Sequence, residues 1–284
     1  MLFLFSSIIA AENITNKQIS TALNNAPYIS AYVDLYEKRI KENGTSDPII
    51  HEYELYLARY EREDANKQAN PGNVQIEGTV VRANDSNHNC WNVDFAINES
   101  IEKILVVWED ERNGVNDPDI YGQVYDTNLQ RIGSNFRISS SDSKAQTNPY
   151  VAATSDGGFV VAWEQNESYG QDVFLKKYNS NVNPTSGATR LDSGISNTKF
   201  GPSVAGDANG NVMIAWLQDD VGAYNIYFRK FQNSLDPVTV TYQLDPDASG
   251  IQWLPEIAAL SDGSSLVVWE DLRDGDSNIY AQRI

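Results

Sequence analysis

The chain of 284 residues holds one cysteine, two histidines and two methionines. With Cys90 alone no disulfide can form within the chain, and its thiol reads as a small buried hydrophobe. His51 and His88 fall on segments of different kind, so a histidine-centred triad or a zinc site lacks its ligands. Basic residues are scarce: 21 Lys and Arg stand against 39 Asp and Glu, a formal net charge of −18. Such a surface repels phosphate backbones and anionic headgroups, which excludes nucleic acid as a partner and favours solubility or cation binding. Long apolar runs are missing too. The N-terminal run, residues 1–11, is too short to span a bilayer, ends in Ala10 and Ala11, and reads as a signal peptide, although no Lys or Arg precedes its apolar stretch. The chain is therefore expected to be secreted or held at the cell surface, with no membrane insertion after signal removal. Its 41% hydrophobic content is ample for a globular core.

Residues 12–70 lack strand-like alternation and are rich in helix formers. Ile29, Val33, Tyr36 and Ile40 recur at spacings of four, three and four and stop at Asn43-Gly44. After Ser46-Asp47-Pro48, an N-cap followed by proline, Ile49, Tyr53, Tyr56 and Tyr60 carry the same kind of stripe. The spacing predicts two helices and, from the short connection, an antiparallel αα-hairpin, with residues 66–73 as linker.

Residues 71–284 are organised by an internal repeat. Trp108, Trp163, Trp216 and Trp269 are separated by 55, 53 and 53 residues, and each closes an apolar run such as Ile104-Leu-Val-Val-Trp. Fourteen residues before three of them stands a proline, Pro149, Pro202 or Pro255, opening a short strand. Between the two strands lies Asp156-Gly157, Asn209-Gly210 or Asp262-Gly263, dipeptides suited to a tight hairpin. An acidic loop and an aromatic strand follow each tryptophan, and a more polar strand closes the copy. Four antiparallel strands repeated radially describe a mainly β chain, a β-propeller of four blades. The last copy ends after its third strand, so residues 74–82 are expected to complete it as an N-terminal strand that closes the ring.

The runs Trp108-Glu-Asp-Glu-Arg-Asn-Gly with Ile120-Tyr-Gly-Gln, and Trp269-Glu-Asp-Leu-Arg-Asp-Gly with Ile279-Tyr-Ala-Gln, resemble repeats of large secreted bacterial β-propeller proteins. The resemblance covers residues 90–284 and implies fold and an extracellular setting rather than an activity. The middle copies depart from it, reading Trp163-Glu-Gln-Asn and Trp216-Leu-Gln-Asp. Similarity to the Asp-boxes of sialidase-like propellers is distant, since Ser155-Asp156-Gly157-Gly158 stands at the wrong spacing from Trp163.

The acidic loops share one rim, which nominates Glu109, Asp110, Arg112, Glu270, Asp271 and Arg273 as ligand-binding residues. Trp91 and Trp253, at the start of the first strand of blades one and four, are candidates for stacking on a sugar. The four blade tryptophans recur with the core and are read as inter-blade packing. Glu109 and Glu270 are the acid/base candidates if the protein is an enzyme. Asp271, Asp274 and Asp276 surround a glycine and could offer oxygens to calcium, although the spacing is not that of an EF-hand; the alternative is local pairing of Arg112 with Asp110 or Asp119 and of Arg273 with Asp271. The expected function is a non-catalytic binding or adhesion module that recognises a glycan, an extracellular protein or a cation. The alternatives are a sialidase-like propeller glycoside hydrolase and a structural piece of a larger extracellular assembly.

Overall fold

The computed structural model describes residues 80–284 apart from 193–196, 221 and 247–250, together with the backbone of strands 28–39 and 49–60. The expected signal peptide at 1–11 and the expected linker at 66–73 lie outside the described residues. Blade one comprises β4 (Cys90–Asn98), β5 (Lys103–Asp110), β6 (Asp119–Asp126) and β7 (Arg131–Arg137), hydrogen-bonded in that order. Blade two repeats it with β8 (Gln146–Ala153), β9 (Phe159–Glu167), β10 (Gly170–Tyr178) and β11 (Thr189–Arg190). Blade three has β12 (Lys199–Gly206), β13 (Val212–Asp219), β14 (Tyr224–Phe231) and β15 (Tyr242–Gln243). Blade four has three strands among the described residues, β16 (Gln252–Ala259), β17 (Ser265–Asp271) and β18 (Asn278–Arg283). All pairings are antiparallel, and the hairpin glycines Gly157, Gly210 and Gly263 take the positive φ that tight turns require.

The tryptophans close the spaces between blades. Trp163 packs with Leu105, Val107 and Ile120 of blade one as well as with Phe159 and Val161 of its own blade. Trp216 does the same against Val160, Ala162 and Val173 of blade two, and Trp269 against Met213, Ala215 and Ile226 of blade three. Trp108, Trp163 and Trp216 are fully enclosed. The 53-residue period is thus the period of the core, and truncating one of these rings to alanine costs about 3–5 kcal/mol.

Two expectations are corrected by the N-terminal part. The predicted helical hairpin is not formed: residues 28–39 and 49–60 are strands β1 (Tyr28–Arg39) and β2 (Ile49–Tyr60), paired from Tyr28↔Tyr60 to Arg39↔Ile49. The physical reason lies in the same residues. Ile29, Ala31, Val33 and Leu35 alternate with period two, and the β-branched and aromatic content of both segments suits a strand. The strand expected to complete the last blade also lies elsewhere. Val80–Arg82, β3, pairs with β2 through Tyr56↔Arg82, Leu57↔Val81 and Ala58↔Val80. Its surroundings in sequence, Ile76-Glu-Gly-Thr-Val80, repeat the Ile120-Tyr-Gly-Gln-Val124 of β6, so β3 occupies the third-strand place of a further blade-like sheet. In that sheet the order is β1-β2-β3, and β1 approaches β4. Closure of a four-bladed ring by residues 74–82 is therefore not observed.

Candidate active site at the channel mouth

The first strands β4, β8, β12 and β16 approach one another in succession and line the interior. Each is interrupted by a bulge two residues into its pairing, between Trp91 and Asp94, Thr147 and Tyr150, Phe200 and Ser203, and Trp253 and Glu256. At each bulge one residue is held in the left-handed region: Asn92, Asn148, Gly201 and Leu254. Asparagine and glycine accept that conformation readily, whereas leucine adopts it only under strain of about 1–2 kcal/mol. The bulge re-aims the strand, and the position after it is equivalent in all four blades. Those four positions carry Asp94, Tyr150, Ser203 and Glu256.

Hydrogen bonds tie Asp94 to blade two and join Ser203 to Glu256 across blades three and four. Val151 N of blade two donates to Asp94 Oδ2 at 2.7 Å, and Phe95 N donates to Oδ1 at 2.8 Å. One blade pair further on, Ile257 N donates to Ser203 Oγ at 3.1 Å, and that hydroxyl donates to Glu256 Oε2 at 2.9 Å. Burial pushes the Asp94 carboxyl up to about 7; its two backbone donors oppose this, and the charge of Glu256 adds to it. Glu256 is raised by burial as well, against the donor from Ser203. Burial, then Glu256, Asp94 and Glu164, hold the Tyr150 phenol well above the ordinary tyrosine range.

Two buried glutamates support the bulges. The residue after the blade tryptophan pairs beside the first strand, as in Trp91↔Glu109, Thr147↔Glu164 and Trp253↔Glu270. Glu164 Oε1 accepts from Gly201 N at 2.7 Å, and Glu109 Oε2 accepts from Asn92 Nδ2 at 2.9 Å and Asn148 N at 3.4 Å. Asn92 Nδ2 also donates to Asn148 Oδ1 at 2.8 Å. Burial raises both glutamates above the usual carboxylate range. Glu109 thus holds the neighbouring blade's bulge in place and leaves direct access to the channel to Asp94 and Glu256. Glu270, partly buried on β17, accepts a side-chain hydrogen bond from Ser277 Oγ at 3.4 Å among the described residues; its adjacency to Glu109 required a closed four-bladed ring.

The charged motif of the loops is engaged internally. Asp110 accepts from Trp108 Nε1 at 3.0 Å and from Arg112 Nε and Nη2 at 3.0 and 2.8 Å, and the guanidinium lies 3.8 Å from the centre of the Tyr121 ring. Blade four repeats the arrangement: Trp269 Nε1 donates to Asp271 at 3.2 Å, Arg273 Nη2 donates to it at 2.5 Å, and Arg273 lies 3.9 Å from the Tyr280 ring centre. Blades two and three have glutamine in place of the aspartate, and the Trp163 and Trp216 indole nitrogens find no partner among the described residues. Asp274 accepts from Tyr280 Oη at 2.8 Å. Among the described residues no three His, Cys, Asp or Glu side chains converge into a group that could hold a metal.

Trp91 rests its indole N–H on Glu111 Oε1 at 3.1 Å. Trp253 differs: it stacks on Tyr224 at 4.8 Å between ring centres, and Tyr224 contacts Phe200 at 5.7 Å. All three rings are partly exposed, and Leu254 beside them is 63% exposed. They form an aromatic shelf between blades three and four, on the rim where the bulges open. Asp94, Tyr150, Ser203 and Glu256 were missed in the sequence because four different residue types share one structural position. The available signal was positional: three of them directly follow the strand-opening proline or its equivalent, as in Pro149-Tyr150, Pro202-Ser203 and Pro255-Glu256.

No protein-family model matches the chain, and no curated protein matches it in sequence. Solved structures match in fold. A Hadza microbial sialidase aligns with a TM-score of 0.54 at 12% identity, over 81% of this chain and 52% of its own, so the chain spans about half that protein's length. An endo-arabinase from Bacteroides thetaiotaomicron aligns at 0.47 and 11% identity over 91% and 93% of the two chains, and an α-L-arabinanase from Penicillium chrysogenum at 0.46 and 12% over 82% and 67%. The expectation of a non-catalytic binding or adhesion module is corrected here, since the protein of like fold that aligns above a TM-score of 0.5 bears the name of a sialidase, an enzyme. The assembly reading relied on a helical hairpin for docking, and that hairpin is not formed. At such low identity the sialidase shows the architecture alone: the chain is a mainly β protein of propeller type.

Proposed function

We propose that this chain is a glycoside hydrolase, secreted or displayed at the cell surface, that works at the mouth of the propeller channel with Asp94 and Glu256 as its carboxylate pair. The observation that carries this reading is the placement of two carboxylates, a phenol and a hydroxyl at the equivalent post-bulge position of four successive inner strands. Glycoside hydrolysis needs one carboxyl that is protonated near neutrality to protonate the leaving oxygen, and one carboxylate that acts at the anomeric carbon, directly or through water. Asp94, more enclosed and deprived of any cationic partner among the described residues, is the acid. Glu256, opened to solvent on one side and accepting a hydrogen bond from Ser203, is the carboxylate. Tyr150, protonated, donates toward the sugar rather than attacking it. Trp253, with Tyr224 behind it, supplies the apolar face on which a sugar ring stacks.

The chemistry of a sialidase fits less well, because it calls for an arginine cluster and an activated tyrosine, and Tyr150 is pushed away from ionisation. The test is release of reducing ends from polysaccharides by the wild-type chain and by Asp94→Asn and Glu256→Gln. Each substitution is expected to lower the rate by about 10²–10⁴-fold while the chain still folds and unfolds cooperatively. Activity that survives both substitutions would remove the assignment.

A further inference from the structure

We propose that the channel mouth selects a neutral, hydroxyl-rich glycan and rejects sugars that carry a carboxylate, such as sialic or uronic acids; this rests on the hydrolase reading above and specifies its substrate. The wall that a sugar meets is rich in carboxyl groups. Asp94 and Glu256 face the channel, each held by a hydrogen bond that spans adjacent blades, Glu109 and Glu164 lie behind them on the bulges of the neighbouring blades, and among the described residues no lysine or arginine pairs with any of the four.

The cations of the same rim are already committed. Arg112 bridges Asp110 and Asp85, and Arg273 bridges Asp271 and Asp245. Arg137 is bound to Asp119, and Arg190 and Lys199 to Asp172. Freeing Arg112, Arg137 or Arg273 for a ligand would leave a carboxylate of zero side-chain exposure uncompensated, a change that is strongly unfavourable. A carboxylated sugar would therefore meet the like charge of the Glu256 carboxylate with no counter-charge to balance its own. A neutral sugar has the opposite fit. Its hydroxyls are donors for the acceptor-rich wall, and its apolar face meets the Phe200–Tyr224–Trp253 shelf and the exposed side chain of Leu254.

The experiment uses the full chain in two parallel readouts. Binding is measured by affinity electrophoresis in gels containing arabinan, xylan or galactan against polygalacturonate, and by calorimetry with 3′-sialyllactose; cleavage is measured as reducing ends from the same compounds. At least one neutral polymer should retard the protein, with an affinity that changes less than about twofold between 50 and 500 mM NaCl, and acidic ligands should bind at least ~10-fold more weakly. Trp253→Ala should weaken the neutral binding about 10-fold with the fold retained by circular dichroism. Equal or tighter binding or cleavage of polygalacturonate or the sialoside overturns the substrate class, and leaves the hydrolase reading standing if Asp94→Asn abolishes that cleavage. Neutral polymers that bind through Trp253 but are never cleaved overturn the hydrolase reading and support the class. Absence of any binding or cleavage of neutral polymers, or neutral binding indifferent to Trp253, overturns the inference itself.

Discussion

Removing the carboxylate of Asp110 isolates what the repeated Trp-Glu-Asp-Xaa-Arg motif contributes to the fold. Asp110 is fully enclosed. It accepts from the Trp108 indole, from Ser86 Oγ at 3.1 Å, from the Arg112 backbone N–H at 3.0 Å and twice from the Arg112 guanidinium. Asp110→Ala leaves an indole N–H, a hydroxyl and a guanidinium without their shared acceptor. Breaking a buried ion pair from one side costs about 3–5 kcal/mol. Because the Arg112 side chain is 23% exposed, water recovers part of this, and a loss of about 3 kcal/mol is expected. The chain contains its own control. Gln165 and Gln218 stand at the matching positions of blades two and three, where Glu167 and Asp220 replace the arginine. Converting blade one to that type with Asp110→Gln and Arg112→Ala together leaves no buried charge unpaired, only the half-exposed Asp85 without its arginine, and should cost only about 1 kcal/mol. Urea unfolding followed by tryptophan fluorescence measures both. Burial pushes the Asp110 carboxyl up, but the Arg112 and Trp108 donors outweigh it and hold it below the ordinary range. Its stabilisation is therefore present above about pH 4 and is lost as pH falls through the folded-state value. A loss under 1 kcal/mol for Asp110→Ala, or a double variant as costly as the single one, would refute the reasoning.

Three further outcomes follow from individual groups. Asp94 ionises near pH 7 in the folded chain and near 4 in the unfolded one, so its contribution favours folding at low pH and is lost as pH rises from about 4 to 7; the melting temperature of Asp94→Asn relative to wild type should rise across that interval, and a difference flat in pH would contradict the assignment. The Cys90 thiol is fully enclosed and pushed up to about 12 by burial and then by Asp110; it should resist an aromatic disulfide reagent at pH 8 until the chain unfolds, and rapid native labelling would show otherwise. A methyl group at Gly206 would run into the Ala153 carbonyl oxygen of the adjacent blade; Gly206→Ala should lower stability by about 1–3 kcal/mol, read from the urea midpoint, and a neutral result would mean that blades two and three are less closely set than described.

Much of the architecture is legible in the tryptophan period, because each tryptophan is both the end of a strand and the filling between two blades. The same holds for the turn glycines, whose positive φ is demanded by the hairpins. The N-terminal strands were not legible as strands, since Ile29, Val33, Tyr36 and Ile40 satisfy a helical spacing while their neighbours satisfy alternation; without side chains such as proline or glycine inside the segments, periodicity alone could not arbitrate. The candidate site was half legible. Glu109 and Trp253 are found at the mouth, one as a support of the bulge and one in the aromatic shelf. Asp94 and Glu256 escaped because a bulge moves them onto the channel wall, and a bulge leaves no trace in hydrophobic patterning.

The account rests most heavily on Asp94 as the proton donor at the channel mouth. The direct measurement is kcat/KM for a neutral polysaccharide against pH, for wild type and Asp94→Asn. The wild-type value should fall as pH rises through about 7, where Asp94 loses its proton, and Asp94→Asn should be slower by about 10²–10⁴-fold below that pH. An Asp94→Asn variant that keeps both the wild-type rate and the wild-type pH limb would contradict it.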